Sequence, residues 1–161
     1  MRTQRADIRR APSTAAPALL AGGTVLGDLT NNGGLAAAFD GTTAQTQSAS
    51  AAKTISSSGY NNTVGAVYLQ AYYLDFCVVN GPMDTNILGA GGGTTFNVEA
   101  SLDGTTWVAL ASAVTIITGA GSATPAVILA TVPYRYFRVN MEGNGSNTIA
   151  VAEVRFYGRP A

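Results

Sequence analysis

The chain has 161 residues, enough for one domain with a substantial core and too few for two ordinary ones. Apolar residues make up 47% and charged residues 11%, which excludes an intrinsically disordered chain, whose signature is high charge with low hydrophobicity. The 9 basic and 9 acidic residues cancel, leaving no global field to recruit nucleic acid or an acidic membrane, and the absence of histidine removes Ser-His-Asp and Cys-His catalysis and most zinc sites.

Residues 1–34 read as an extended N-terminal arm. Arg2, Arg5, Arg9 and Arg10 make its start basic, Pro12 and Pro17 interrupt any apolar run of signal-peptide type, and Gly22-Gly23 and Asn31-Asn32-Gly33-Gly34 are breakers. Such an arm suits docking onto a partner protein through its arginines. The domain proper is expected over residues 35–161. Residues 35–39 are a short strand or a helical turn, ending at Asp40-Gly41. Residues 42–62 are almost wholly small and polar and read as a long connection. Residues 64–80 are rich in Val, Tyr, Leu and Phe, long enough for two strands or for one with a bend at Gln70-Ala71. Cys77, the single cysteine, lies in this run and reads as a buried, inert thiol. Residues 85–93 form a Gly-rich loop that lacks the Lys-Ser/Thr of a phosphate-binding loop.

Residues 95–102 alternate, with Phe96, Val98, Ala100 and Leu102 on one face and Asn97, Glu99 and Ser101 on the other, the pattern of a half-buried strand. Asp103-Gly104 is a hairpin signal, and residues 107–110 are the return strand with Trp107 as a core anchor. Further strands are expected over residues 114–117, 126–132, 134–141 and 149–157. Short strands at regular spacing, separated by turn signals, indicate an all-β sandwich or barrel.

Three segments carry a family resemblance. They are Ala38-Phe39-Asp40-Gly41; Val98-Glu99-Ala100-Ser101-Leu102-Asp103-Gly104-Thr105-Thr106-Trp107; and Tyr134-Arg135-Tyr136-Phe137-Arg138-Val139 followed by Ala152-Glu153-Val154-Arg155-Phe156-Tyr157-Gly158. Together, over residues 35–158, they resemble a discoidin domain of the coagulation-factor type C, galactose-binding-like kind. The resemblance implies a jelly-roll β-sandwich and a binding rather than catalytic role. It also implies a structural calcium ion held by Asp40 and Glu153; the alternative is that Glu153 pairs with Arg138 or Arg155 and no ion is bound. Residues 60–65 and 80–84 look closer to the discoidin-like domains of bacteriophage particles.

By analogy of fold, the ligand edge lies in the loops at one end of the sandwich, where Thr43, Gln45, Tyr60, Asn61, Asn62 and Asp84 are the candidate contacts. Tyr60, flanked by polar residues, is the expected exposed aromatic. The first functional expectation is a virion structural protein, made in the host cytoplasm, that docks by its arm to other virion proteins and to copies of itself. Its outward domain would meet host surface polysaccharide. The alternative is a stand-alone bacterial carbohydrate-binding module or lectin. Neither reading involves nucleic acid or membrane insertion.

Overall fold

The computed structural model describes residues 15–29, 31–45, 52–55, 58–81, 95–117, 121–144 and 148–161. In chain order these form β1 (Ala18–Leu19), β2 (Thr24–Gly27), β3 (Asn31–Asn32), a 3-10 helix (Leu35–Phe39), β4 (Ala52–Ile55), β5 (Ser58–Asn80), β6 (Thr95–Ser101), β7 (Val108–Thr115), β8 (Ala123–Val127), β9 (Tyr134–Asn144), β10 (Thr148–Val151) and β11 (Glu153–Pro160). Every pairing among them is antiparallel.

β5 runs for 23 residues, far beyond an ordinary strand, and serves both layers of a sandwich. Its first half pairs with β9 on one side and β2 on the other; its second half pairs with β11 and β8. The register with β9 breaks between Val67 and Tyr72, which is the bend the sequence placed at Gln70-Ala71. Leu69 stands on the outside of this corner and is 93% exposed. One layer therefore reads β2-β5-β9-β6-β7 and the other β8-β5-β11-β1, with the small sheet β3-β4-β10 at one end.

Alternation along the strands fills the space between the layers. Phe96, Val98 and Ala100 of β6, Phe137, Val139 and Met141 of β9, and Val154 and Phe156 of β11 are all buried. The layers meet where Phe137 lies 5.8 Å from Phe156, and the helix adds Phe39, stacked on Phe156 at 6.2 Å. Each fully buried aromatic or aliphatic side chain contributes about 1.5–3 kcal/mol. Gly65 is required by close approach of β5 to β9: a Cβ there would stand 2.1 Å from the Phe137 carbonyl oxygen, with backbone on the far side and no flexible side chain to yield.

Several sequence expectations change here. Part of the segment assigned to the arm pairs into the sandwich: Ala18 and Leu19 pair with Gly158 and Tyr157, and Thr24–Gly27 pairs with β5 from Val67 to Val64. Short strands of two and four residues carry too little periodicity to stand out from a Gly-rich sequence. Within residues 42–62, β4 and the start of β5 replace part of the expected connection. Leu102 does not continue the buried face; β6 ends at Ser101 and leaves Leu102 64% exposed in the turn. Residues 149–157 divide at Ala152 into β10 and β11. Cys77 is buried, and burial pushes its thiol pKa well above the ordinary value.

The Asp103-Gly104 hairpin forms as read. The Asp103 carboxylate accepts the Thr105 and Thr106 N–H groups, both at 2.8 Å, and the Ser101 hydroxyl at 2.9 Å, which holds its pKa well below the usual carboxylate range. Trp107 differs from expectation. It is half-buried on the outside of the sheet, under the Arg138 guanidinium at 4.0 Å from the ring centroid and edge-on to Tyr136 at 6.5 Å. The core position is filled by Phe137 and Phe96 instead, and Trp107 takes the cation–π partner that the outer face offers.

Candidate functional site

The 3-10 helix delivers Asp40 and Gly41 to the start of β11. Gly41 adopts a left-handed φ of 82°, a conformation that glycine accepts without cost. This turn aims its N–H at Glu153, which accepts it at Oε2 from 3.2 Å. Asp40, exposed, accepts the Thr42 N–H at 2.8 Å and the Gln45 side-chain amide at 2.8 Å. Gln45 is 4% exposed; its amide nitrogen also reaches the Ala37 carbonyl at 2.9 Å, while its Oε1 is buried with no hydrogen-bond partner among the described residues. Glu153, 4% exposed, has its pKa pushed up to about 7 by burial, with the Gly41 N–H opposing, the Asp40 charge adding to the rise and Arg155 opposing it.

Asp40 and Glu153 are neighbours, close enough for the Asp40 charge to act on Glu153. The alternative pairing of Glu153 with Arg138 does not form: Arg138 binds Glu99 at 2.6 Å. Arg155 influences Glu153 through its charge but spends its Nη2 on the Asn80 side chain at 2.7 Å. Among the described residues no three His, Cys, Asp or Glu side chains cluster as a metal site.

Beside this turn lies a cavity of about 200 Å³. Residues 19–23 form its outer wall, crossing as a strap from β1 on one layer to β2 on the other. Gly23 lets the strap rest on the Tyr68 ring, since a Cβ there would stand 2.8 Å from Tyr68 Cε1. Phe39, Ala66 and Tyr68 supply apolar wall, and residues 153–155 supply the polar side. Arg155 Nε is buried with no acceptor among the described residues. An unpaired donor of a charged group in such a place costs about 1–3 kcal/mol or more, which a ligand acceptor would recover. The sequence missed this cavity because Gly22-Gly23 read as a breaker and not as a wall. The signal available was Arg155 in a strand otherwise rich in apolar residues.

The end-loop residues named from sequence do not assemble into one open site. Tyr60 is in β5, half-buried, and its hydroxyl is hydrogen-bonded to Thr95 Oγ1, which in turn donates to Glu142 at 2.9 Å. Asn62 is buried, with its side-chain amide on the Met141 carbonyl at 3.1 Å. Asn61 is exposed at the irregularity where β5 slips against β9. Gln45 is buried as described, and Thr43 is exposed beside it. Asp84, Arg2, Arg5, Arg9 and Arg10 lie outside the described residues.

Neither a protein-family model nor a curated protein sequence matches the chain. Solved structures do match. The F5/8 type C domain of a Bacteroides fragilis protein superposes with a TM-score of 0.65 at 18% identity, covering 90% of this chain and 98% of that one. The fold is a discoidin-like β-sandwich. The carbohydrate-binding module CBM62 of Clostridium thermocellum Xyl5A gives a TM-score of 0.62 at 17% identity over 89% of this chain and 99% of that one. A truncated AlyQ with CBM32 and alginate lyase domains gives 0.66 at 14% identity; 91% of this chain is covered, and the chain spans 34% of that protein's length. Within the discoidin-like sandwich, the strap and the Asp40–Gly41 turn sit against the same closing strand, β11.

The hydrogen bond of Tyr60 makes it a structural residue of this fold. Tyr60→Phe is expected to lower the unfolding free energy in urea by about 1 kcal/mol. An unchanged unfolding midpoint and slope would contradict the assignment.

Proposed function

We propose that this chain is a non-catalytic saccharide-binding module whose site is the cavity beneath the strap. One observation carries the reading: a single cavity is lined by Glu153, Arg155 and the aromatic residues Phe39 and Tyr68, where Glu153 is buried and Arg155 Nε has no acceptor among the described residues. A sugar ring offers the matching chemistry. Its hydroxyls both donate to a carboxylate and accept from a guanidinium, and its C–H face packs on aromatic rings. An apolar cavity of about 150 Å³ takes a benzene-sized ring, so about 200 Å³ suits one sugar unit. Glu153 is the only carboxylate in the described cavity wall, whereas glycoside hydrolysis needs two across the bond. The matching carbohydrate-binding modules support the same reading.

This reverses the order of the two functional expectations. Docking to a virion rested in part on an arm of residues 1–34, and within it residues 18–19 and 24–27 pair into the sandwich while residues 19–23 line the cavity. The carbohydrate-binding module is the reading with geometry behind it.

A calcium ion belongs to the same proposal. Asp40 and Glu153, with the Gln45 Oε1 and nearby carbonyls, would hold it, and its charge would offset the buried Glu153 carboxylate next to Asp40. Its role would be to fix the Gly41 turn that borders the cavity.

Calorimetric titration with galactose, glucose, xylose and N-acetylglucosamine should give saturable heat with at least one sugar. The dissociation constant should be roughly millimolar, about −4 kcal/mol, with no product formed. Arg155→Met should abolish that heat while the protein remains folded; equal heat in the variant, or no heat with any sugar, would reject the cavity. Thermal unfolding in millimolar calcium should exceed that in chelator by an increment that grows with calcium concentration, because the ion binds only the native state. Superimposable transitions would reject the ion.

A further inference from the structure

The outer face of the β2-β5-β9-β6-β7 layer is not an ordinary solvated sheet surface. Residues paired across strands point to the same side, so two polar rows run across it: Gly65, Arg138 and Glu99, then Thr63, Asn140 and Asn97. Arg138 Nε donates to Glu99 Oε2 at 2.6 Å, and the side chains are only 22% and 13% exposed. Asn140 donates its amide to Glu99 Oε1 at 3.2 Å. Asp28 extends the second row: its carboxylate accepts the Thr63 N–H at 2.7 Å and lies within reach of the Arg138 charge, so the floor carries a second carboxylate besides Glu99. Asn140 is 4% exposed, and its Oδ1 has no hydrogen-bond partner among the described residues.

The 102–107 connection forms the rim of this floor. Gly104, at a left-handed φ of 79°, sits so close to Tyr136 that a Cβ would be 2.8 Å from its ring. Trp107 follows, half-buried, with Arg138 against its ring. The cavity lies on the opposite side of this layer, where Ala66 and Tyr68 of β5 face the core.

We infer that this face is a second binding subsite, for the neutral hydroxyls of an oligosaccharide lying across the strands, with Asn140 Oδ1 and Thr63 on the floor and Trp107 at the rim. The inference rests on the saccharide-binding reading and extends it from one sugar unit to a chain. A polyol fits because its hydroxyls can donate to Asn140 Oδ1 and to the Asp28 carboxylate, whereas an anionic ligand would meet Asp28 and Glu99. An aromatic at the rim offers the C–H faces of a chain a contact that single hydroxyl bonds do not supply.

Trp107 is the chain's one tryptophan, so its emission reports on this face alone. Cellotetraose, xylotetraose and β-1,4-galactotetraose are titrated against the whole protein, following emission and heat in parallel, with the corresponding monosaccharides as controls. At least one tetraose should shift the emission saturably and bind tenfold or more tightly than its monosaccharide. Thr63→Lys, which blocks the floor, and Asn140→Ala should each weaken that binding at least tenfold. Thermal unfolding establishes that each variant is folded, and Thr63→Lys keeps the test decisive if Asn140→Ala is not. Saccharide heat with constant Trp107 emission and wild-type affinity in Thr63→Lys would overturn this subsite and leave the cavity reading standing. Absence of heat with every sugar would overturn the saccharide-binding reading itself.

Discussion

Everything in this fold hangs on one strand that belongs to two layers. β5 is paired on both edges in two stretches, at residues 64–67 by β2 and β9 and at residues 76–80 by β8 and β11. A central strand satisfies its backbone groups only if both neighbours are in register, so the corner at residues 68–71 fixes the angle between the layers. That angle sets the distance between Phe137 and Phe156, and with it the space left on the open side between β2 and β11. Gly65 marks how tightly the first half is held, since no side chain fits between β5 and β9 there.

The open side is where binding chemistry accumulates. Two sheets joined along one edge leave the opposite edge uncovered, and this chain closes it with the strap of residues 19–23 and the 3-10 helix. Both closures are light: the strap is rich in glycine and alanine, and the helix spans five residues. Light closures leave room, and the room is lined by the first residues of β11. Burying Glu153 and part of Arg155 there works against stability, because desolvating polar groups without full compensation is costly. A fold that only had to be stable would place apolar residues at these positions, as it does at Val154 and Phe156.

The sequence disclosed the architecture well and the site poorly, for a physical reason. Alternation in residues 95–102, the Asp-Gly turn and the bend in residues 64–80 are local patterns, and they are found where they were expected except that the strand stops one residue short, at Ser101. The two-residue strand β1 has no pattern to show, so the strap was assigned to an arm. Tyr60 read as exposed because its neighbours in sequence are polar; its neighbours in space, Thr95 and Glu142, come from two other strands. Trp107 read as core because Val108 and Leu110 follow it, yet Val108 is itself 41% exposed. Asp40 and Glu153, 113 positions apart, were linked only through the family resemblance, and in the structure the Gly41 N–H next to Asp40 binds Glu153.

The claim that binding is centred on the strap cavity is tested most directly by mapping amide chemical shifts of the labelled protein as a binding sugar is added. Shifts concentrated at Gly22, Gly23, Tyr68 and Arg155, saturating at one affinity and with the sugar recovered unchanged, are the predicted result. Shifts confined to residues far from the strap, or no shifts with any sugar at concentrations about tenfold above the expected millimolar dissociation constant, would contradict it.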